Sequence, residues 1–271
     1  MAGFIHVTDT HIVAPGKRVC GRSDTREALR RAIATINAKL PILDGIECVI
    51  VTGDLTDHGM HEEYAHFASL MAGLDLPWLA VPGNHDQRSP MRAAFADAQW
   101  MPSNGPIHWM RDFGPFAVVG LDTLLEGAHH GELGSDGLAF LASSLATLGG
   151  QPVIVATHHP WMHTGIPVMD VDNLRDGAAL IEKLEAYPGP VRMISGHVHR
   201  AISGQVGRIA CQIGPATSHA VLTDHRPGRD PQLVLEPGGV TVYRWIRSPM
   251  SGLVSDVIPT GTFAGPWPFE D

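Results

Sequence analysis

The chain has 271 residues, of which 44% are hydrophobic and 17% charged, and this supports one large domain with a buried core. Its formal net charge of −9 argues against a general affinity for nucleic acid or for anionic membranes. No window approaches about 20 apolar residues, so no transmembrane helix is expected.

Short apolar segments alternate with longer amphipathic ones along the chain. Most of the short segments are continuously apolar, as expected for strands covered on both faces. They lie at residues 4–8, 48–52, 78–81, 116–121, 153–157, 191–195 and 209–213. Helical patterns cover residues 25–40, 62–74, 138–148 and 174–187. The alternation predicts an α/β fold with a largely parallel sheet, in which ligands bind beyond the carboxyl ends of the strands.

The character of the sequence changes after His219. Residues 220–271 are richer in proline and glycine and carry no helical pattern. Segments 232–235 and 240–246 flank Pro237-Gly238-Gly239 and predict a hairpin, with a further strand at 253–258. We therefore expect a main domain over residues 1–219. Residues 220–271 are expected to form a C-terminal β extension, packed on that domain as a cap or dimer contact.

The cysteines and the N-terminus bear on the compartment. The three cysteines are widely spaced and form no CxxC pair or disulfide framework: Cys20, Cys48 and Cys211. The N-terminus runs directly into the first apolar segment and lacks the charged and long apolar regions of a secretory signal. Both features predict a reducing cytoplasm.

Five short motifs, each after a strand-like segment, supply seven residues of metal-ligand type. The oxygen ligands are Asp9, Asp54 and Asn84, and the nitrogen ligands are His11, His158, His197 and His199. Mixed oxygen and nitrogen ligation without cysteine suits Zn, Mn, Fe or Co. Residues two apart in a strand point to opposite faces, so the pairs 9/11 and 197/199 are expected just past strand ends. Flanking glycines at 53, 83 and 196 would let the backbone approach closely.

Seven ligands exceed what one transition metal usually takes, and they fit two divalent ions that share a bridging carboxylate. The resulting positive charge favours a phosphate ester anion, with a singly charged phosphodiester matching well. The expected reaction is in-line attack on phosphorus by a metal-bridged hydroxide. His85 follows Asn84 and is not needed as a ligand, so it is the candidate to bind a phosphate oxygen or protonate the leaving alkoxide.

The motif order D-x-H, G-D, G-N-H-D, H-H-P and G-H-x-H, over residues 9–199, resembles the calcineurin-like metallophosphoesterase superfamily. The segments Thr8–His11 and 53–59, followed by Glu62-Glu63-Tyr64, resemble its branch of class III cyclic nucleotide phosphodiesterases and glycerophosphodiesterases. This resemblance implies a four-layer αββα sandwich of two mixed sheets. It also implies a homodimer or higher oligomer.

The same resemblance implies a role for each matching residue. The first metal would be bound by Asp9, His11, Asp54 and His199. The second would be bound by Asn84, His158, His197 and again Asp54, which bridges. His85 would assist catalysis. His219 matches a histidine near the site in the glycerophosphodiesterase branch and would be a substrate-side residue.

One departure from the superfamily concerns the substrate. Its protein phosphatases carry Asp-Arg-Gly where this chain has Asp57-His58-Gly59, so a phosphoprotein substrate is not expected. Asp57 could instead orient a metal ligand. Other polar residues are expected to be structural: His6 in the core, His159 packed beside His158, and Asp122 capping a loop. His66 and His108 are expected on the surface.

The expected function is a binuclear phosphodiesterase for small phosphodiesters, either cyclic nucleotides or glycerophosphodiesters, with promiscuity toward phosphonate monoesters and aryl diesters. A phosphomonoesterase or a nuclease is the alternative among hydrolases, although the lack of basic runs argues against long nucleic acid. A non-catalytic scaffold is a third interpretation. It is disfavoured because none of the motifs is degraded.

Overall fold

The structure is a computed structural model, which describes residues 2–248 and 252–268. Its strands form two large mixed sheets and one short ribbon. The first sheet contains β1 (Ala2–Val7), β2 (Ile46–Thr52), β3 (Trp78–Val81), β12 (Gly239–Ile246) and β13 (Gly252–Pro259). The second contains β4 (Trp109–Asp112), β5 (Ala117–Gly120), β6 (Val153–Ala156), β7 (Val191–Ser195), β8 (Ile202–Val206) and β9 (Ile209–Ile213). The ribbon pairs β10 (Ala220–Val221) with β11 (Leu233–Val234).

Parallel strands form the centre of each sheet. The first sheet has the order β13-β12-β1-β2-β3, and its three N-terminal strands are parallel. The second has the order β4-β5-β6-β7-β9-β8, with antiparallel strands at both edges. The carboxyl ends of the parallel strands are the positions at which the five motifs begin.

Helices cover the outer face of each sheet. Those on the first sheet are α1 (Thr25–Lys39), α2 (His61–Met71) and α3 (Arg88–Ala94). Those on the second are α4 (Gly134–Leu148), α5 (Pro167–Asp170) and α6 (Gly177–Ala186). A third apolar cluster lies between the two sheets. The expected α/β sandwich with four layers, αββα, is therefore confirmed.

Strand β2 illustrates why the central strands are apolar throughout. Val49 and Val51 pack into the cluster beneath the helices, whereas Cys48 and Ile50 pack between the sheets. Alternate side chains of a strand point to opposite faces, and here both faces are covered. Full burial of an aliphatic side chain contributes about 1.5–3 kcal/mol, so these strands anchor the loops that follow them.

The predicted hairpin across Pro237-Gly238-Gly239 is wrong. Leu233–Val234 pairs with Ala220–Val221, whereas β12 pairs antiparallel with β1 on one side and with β13 on the other. A Cβ on Gly238 would fall on the Thr217 carbonyl oxygen, so the chain here runs tightly along another segment. The expected strand at 253–258 is confirmed as β13. The division into residues 1–219 and 220–271 stays a prediction.

The edge strands β4 and β8, which are partly polar, were not predicted from the sequence. Within the described residues, no helix is long and apolar enough to cross a bilayer. Of the aromatic residues near the C-terminus, Trp267 is 73% exposed, and Phe269 lies outside the described residues.

Candidate metal centre

All seven predicted ligand residues lie on loops directly after parallel strands. Asp9 and His11 follow β1, Asp54 follows β2, and Asn84 follows β3. In the second sheet, the remaining histidines follow β6 and β7: His158, His197 and His199. Since the sheets face each other, their carboxyl ends bring the five loops to one place, as the sequence predicts.

The backbone turns these side chains inward through left-handed conformations. Six non-glycine residues among those described have positive φ, and five of them belong to the predicted ligand set: Asp9, His11, Asp54, His197 and His199. This conformation is uncommon for residues with a Cβ and is held only where the surrounding fold fixes it. In each of the pairs 9/11 and 197/199, both residues have this left-handed conformation. The backbone therefore curls, and both side chains of a pair point to the same centre.

Two glycines make room for the converging side chains. A Cβ on Gly83 would collide with the Asp54 carboxylate, and one on Gly53 would collide with the His158 ring. Gly53 also has φ of +89°, which a larger residue would adopt only with strain. The expectation that these glycines permit close backbone approach is confirmed.

The first group of donors consists of four buried side chains, Asp9, His11, Asp54 and His199, whose ligand atoms lie within 4.8 Å of one another. Nε2 of His11 is 3.0 Å from Nε2 of His199 and 3.4 Å from Oδ2 of Asp54. Nε2 of His199 is 3.4 Å from Oδ1 of Asp9. Two nitrogens and two carboxylates therefore converge.

The second group of donors meets around Asn84. Its amide oxygen is 3.0 Å from Nε2 of His158 and 3.0 Å from Nδ1 of His197. Nε2 of His158 is also 3.4 Å from Oδ2 of Asp54. The two groups thus share one oxygen. The other oxygen of Asp54, Oδ1, accepts a hydrogen bond of 2.9 Å from the backbone N–H of His85.

These donor separations fit metal coordination. Ligands bound to one ion at about 2.1 Å lie about 3.0 to 3.4 Å apart at octahedral or tetrahedral angles. The six separations of 3.0 to 3.4 Å given above fall in this range, whereas His11 and Asp9 are 4.0 Å apart. The donor set of carboxylate, amide and imidazole without thiolate suits divalent transition metals. The residues therefore fit a centre of two ions.

The electrostatics of the first group also favour a cation. Burial alone would lower the pKa of His11, but the hydrogen bond with Asp57 and the charges of Asp54 and Asp9 outweigh it and raise the pKa to about 9. Burial and the charge of His11 lower the pKa of His199 to about 3. Burial would raise the pKa of Asp54, but the nearby histidines hold it well below its usual range. Asp54 thus draws positive charge into a buried site, whereas burial raises the pKa of Asp9.

Behind the first group, Asp57 contacts two of the site histidines. Its Oδ1 lies 2.9 Å from Nδ1 of His11, and its backbone oxygen accepts a hydrogen bond of 2.8 Å from Nδ1 of His85. Asp57 therefore leaves Nε2 of His11 for a metal and Nε2 of His85 for another partner. The half-buried His85 borders the donor groups, with its ring centroid 4.6 Å from that of His11.

His219 also borders the first group. Its ring centroid lies 4.8 Å from that of His199 and 5.5 Å from that of His11. Its Nδ1 is 2.8 Å from the hydroxyl of Ser218, and its carbonyl oxygen accepts from Nδ1 of His199 at 3.2 Å. Burial and the charges of His199 and His11 lower the pKa of His219 to about 3. The lowered pKa favours the neutral form of the ring, and among the described residues only its Nδ1 has a hydrogen-bond partner.

A buried carboxylate that the sequence analysis did not single out ties two motif loops together. Asp86 accepts hydrogen bonds from the N–H groups of Leu55, Thr56 and Gly83 at 3.0–3.2 Å and from the Tyr64 hydroxyl at 2.9 Å. These bonds fix the loop that carries Asp54 against the loop that carries Asn84. Its place directly after His85 in the G-N-H-D motif is the sequence signal that could have indicated this role.

Asp122 does more than cap a loop. Its carboxylate pairs with Nε of Arg88 at 2.6 Å and with a terminal nitrogen of the same residue at 2.8 Å. It also accepts from the backbone of Ile107 at 2.8 Å and Leu124 at 2.9 Å. Since Arg88 begins α3, this pair ties the loop of Asn84 and His85 to the second sheet.

The other histidines are mostly structural. His159 is buried beside His158, with its two nitrogens 2.8 Å from the Thr123 hydroxyl and 3.1 Å from the His129 carbonyl, as expected of a packed neighbour. His6 is buried, and within the described part of the chain only its Nε2 has a hydrogen-bond partner. His66 and His108 were wrongly expected at the surface. Both are half-buried, and His66 donates to the Val13 carbonyl at 2.7 Å whereas His108 accepts from the Asp122 N–H at 3.0 Å.

Comparison with known proteins gives one family and several relatives. A family model described as calcineurin-like phosphoesterase matches residues 3–201. The chain is 33% identical, over 98% of its length and 96% of the relative's, to a protein of Arcobacter nitrofigilis named probable glycerophosphodiester phosphodiesterase. It is 29% identical, over 90% of its length and 84% of the relative's, to a 3′,5′-cyclic adenosine monophosphate phosphodiesterase of Pseudomonas aeruginosa.

The fold is similar to that of solved structures at low sequence identity. A dimetal phosphatase from Danio rerio superposes with a TM-score of 0.62 and 12% identity, covering 96% of this chain and 99% of that one. At this identity the likeness concerns the fold alone.

Proposed function

The chain belongs to the calcineurin-like phosphoesterase family, and from this premise we propose that it is a binuclear metal-dependent phosphodiesterase acting on small phosphodiesters. The observation that carries the proposal is the position of Asp54 Oδ2, which lies 3.4 Å from His11 on one side and 3.4 Å from His158 on the other. A single carboxylate oxygen facing two donor groups suits a bridge between two ions.

Each donor group would hold one ion. We propose that the first is held by Asp9, His11, Asp54 and His199, and the second by Asp54, Asn84, His158 and His197. When bound, two divalent ions supply positive charge for the phosphate and lower the pKa of water. Mn, Fe, Zn and Co all suit this set of oxygen and nitrogen donors.

The chain supplies a proton donor at the side of this centre. Nδ1 of His85 donates to the Asp57 carbonyl at 2.8 Å, which fixes the ring and directs Nε2 away from that carbonyl. In the protonated ring, Nε2 carries a hydrogen that a phosphate oxygen or a departing alkoxide can accept. A second ring, His219, offers a further donor or acceptor on the substrate side.

The substrate class has two candidates. Relatives that align over most of the chain carry the names of glycerophosphodiester and cyclic nucleotide phosphodiesterases. The proposal therefore covers both kinds of diester. It also includes a homodimer or higher homo-oligomer, supported by the exposed Val254 on the edge strand β13. A cytoplasmic location, supported by three free thiols, completes the proposal.

The test is hydrolysis of bis(p-nitrophenyl) phosphate and of p-nitrophenyl phosphate by the protein loaded with Mn²⁺. We expect kcat/KM for the diester to exceed that for the monoester by about 10-fold or more. A natural diester with kcat/KM above about 10⁴ M⁻¹s⁻¹ would identify a plausible cellular substrate. Preference for the monoester would contradict the proposal, as would the absence of any turnover.

A further inference from the structure

A small cleft lies beside the metal centre. It has a volume of about 260 Å³, and His199 and His219 are among its lining residues. The charged residues that line it are Arg200 and Glu236. The remaining lining residues are aliphatic and mostly small, among them Ala216, Pro237 and Gly238. The cleft therefore joins a site for phosphate to a pair of opposite charges.

The ion pair is held in place at the side of the cleft. One terminal nitrogen of Arg200 donates to the Val221 carbonyl at 2.8 Å, and the other donates to Oε2 of Glu236 at 3.0 Å. The Arg200 side chain is 22% exposed and that of Glu236 is 44% exposed. A guanidinium has five N–H groups and a carboxylate has about four acceptor positions. Both partners therefore keep hydrogen-bonding capacity for a ligand.

We propose that this cleft receives one alcohol group of the diester, and that Arg200 and Glu236 recognise free hydroxyl groups on it. The inference rests on the proposed phosphodiesterase function and deepens it by assigning two specificity-determining residues. A hydroxyl group both donates and accepts, so neighbouring hydroxyls can pair with a carboxylate and a guanidinium at once. The matching ligand is a small polyol ester of phosphate.

The lining of the cleft favours a polyol over a nucleoside. Among the residues that the structure describes, no Phe, Tyr or Trp lines it, so only the two site histidines offer a ring on which a base could stack. A Cβ on Gly238 would meet the Thr217 carbonyl oxygen, so the chain is tightly packed at this part of the wall. The cleft thus selects an alcohol by its hydroxyl content.

The experiment compares two diesters that differ only in hydroxyl groups, glyceryl p-nitrophenyl phosphate and propyl p-nitrophenyl phosphate. We expect the metal-loaded wild type to prefer the glyceryl ester by about 10-fold or more in kcat/KM, mainly through KM. In Glu236→Ala and in Arg200→Met, the ratio of kcat/KM for the glyceryl ester to kcat/KM for the propyl ester should fall below about threefold. This fall should come from the glyceryl ester, while kcat and KM for the propyl ester stay as in the wild type. Glu185→Ala removes a similarly exposed carboxylate from the Arg208 pair and should leave the ratio unchanged.

The outcomes separate the inference from the proposed function. An unchanged ratio in both cleft variants would overturn the inference, and so would an equal loss for both esters, which would indicate a structural role for the pair. If the wild type hydrolyses neither ester, the proposed function fails. Calorimetric binding of glyceryl phosphate and of propyl phosphate then decides the inference: a glyceryl preference of about 10-fold that Glu236→Ala abolishes supports it, and equal binding overturns it.

Discussion

Oδ1 of Asp57 lies 2.9 Å from Nδ1 of His11, and this contact joins the loop after β2 to the loop after β1. The carboxylate orients an imidazole whose other nitrogen, Nε2, faces His199 at 3.0 Å. Partners of this kind fix the tautomer and the ring orientation of metal-binding histidines. Asp57 is itself half-buried, so its own rotation is restricted.

The first prediction follows from this contact. Asp57→Ala should weaken binding at the ion site of His11 by about 10-fold or more, because the ring loses the partner that orients it. Asp57→Asn retains an acceptor oxygen and should retain part of the affinity. Calorimetric titration of the metal-free protein with Mn²⁺ measures both. An Ala variant with wild-type affinity would contradict the positioning role.

The second prediction concerns the amide oxygen between two histidines. Asn84→Ala should weaken or empty the second ion site, because the oxygen that lies 3.0 Å from both His158 and His197 is lost. Elemental analysis after gel filtration should show bound metal falling from two ions per chain toward one. Two tightly retained ions in this variant would refute the assignment of Asn84. His163→Ala, on an exposed ring, serves as the control and should keep both ions.

The third prediction separates two roles of His85. His85→Ala should lower kcat by about 100-fold or more for diesters with poor leaving groups, while metal content stays intact. The loss should be smaller for p-nitrophenyl esters, because their leaving group departs without a proton. Equal losses for good and poor leaving groups would indicate that His85 positions the phosphate and does not act as a general acid.

Much of this site was predictable from the sequence because it depends on local patterns. Apolar segments such as 48–52 mark buried strands, and polar residues directly after them fall at a sheet edge where ligands bind. Asp9, Asp54 and Asn84 could be placed together for this reason, although they lie on three separate strands. The left-handed backbone at Asp9 and Asp54 adds the precise orientation, which composition does not reveal.

Pairings between distant segments were not predictable in the same way. Segment 232–235 lies next to a turn-like Pro-Gly-Gly sequence, yet β12 pairs with β1, which is more than 200 residues away along the chain. Val240 and Val242 pack into the cluster beneath the helices, whereas Tyr243 packs between the two sheets. Both faces of this strand are covered only when it lies within the large sheet. Likewise, nothing near Asp122 in the sequence indicates that Arg88 is its partner.

The fourth prediction concerns that pair. Asp122 is fully buried, and Asp122→Ala would leave the Arg88 guanidinium without its carboxylate and the Ile107 N–H without its acceptor. We expect the free energy of unfolding to fall by about 3 kcal/mol, as measured by urea denaturation of both proteins under the same metal conditions. Asp97→Ala removes an exposed carboxylate and should cause no measurable change. A comparable loss in both variants would contradict a special role for burial.

The last prediction concerns stability against pH. Burial lowers the pKa of His6 to about 3, whereas in the unfolded chain the pKa is near 6.5. Above pH 6.5 the ring is neutral in both states, so its protonation costs no stability. As the pH falls from 6.5 toward 3, the unfolded state takes up a proton that the folded state excludes. The folded state should then lose about 1.4 kcal/mol per pH unit through this residue.

His6→Gln removes this titration and keeps a polar group beside Thr52. The variant should be less stable than the wild type at pH 7.5. Between pH 6 and pH 4.5, however, its free energy of unfolding should fall less steeply as the pH is lowered, and the two slopes should differ by about 1.4 kcal/mol per pH unit. Thr52→Val removes the hydroxyl 2.6 Å from Nε2 of His6 and leaves the ring buried, so it should keep the wild-type slope. All other titrating groups are common to both proteins, so their contributions cancel when one slope is subtracted from the other. Parallel slopes for His6→Gln and wild type would therefore contradict the prediction.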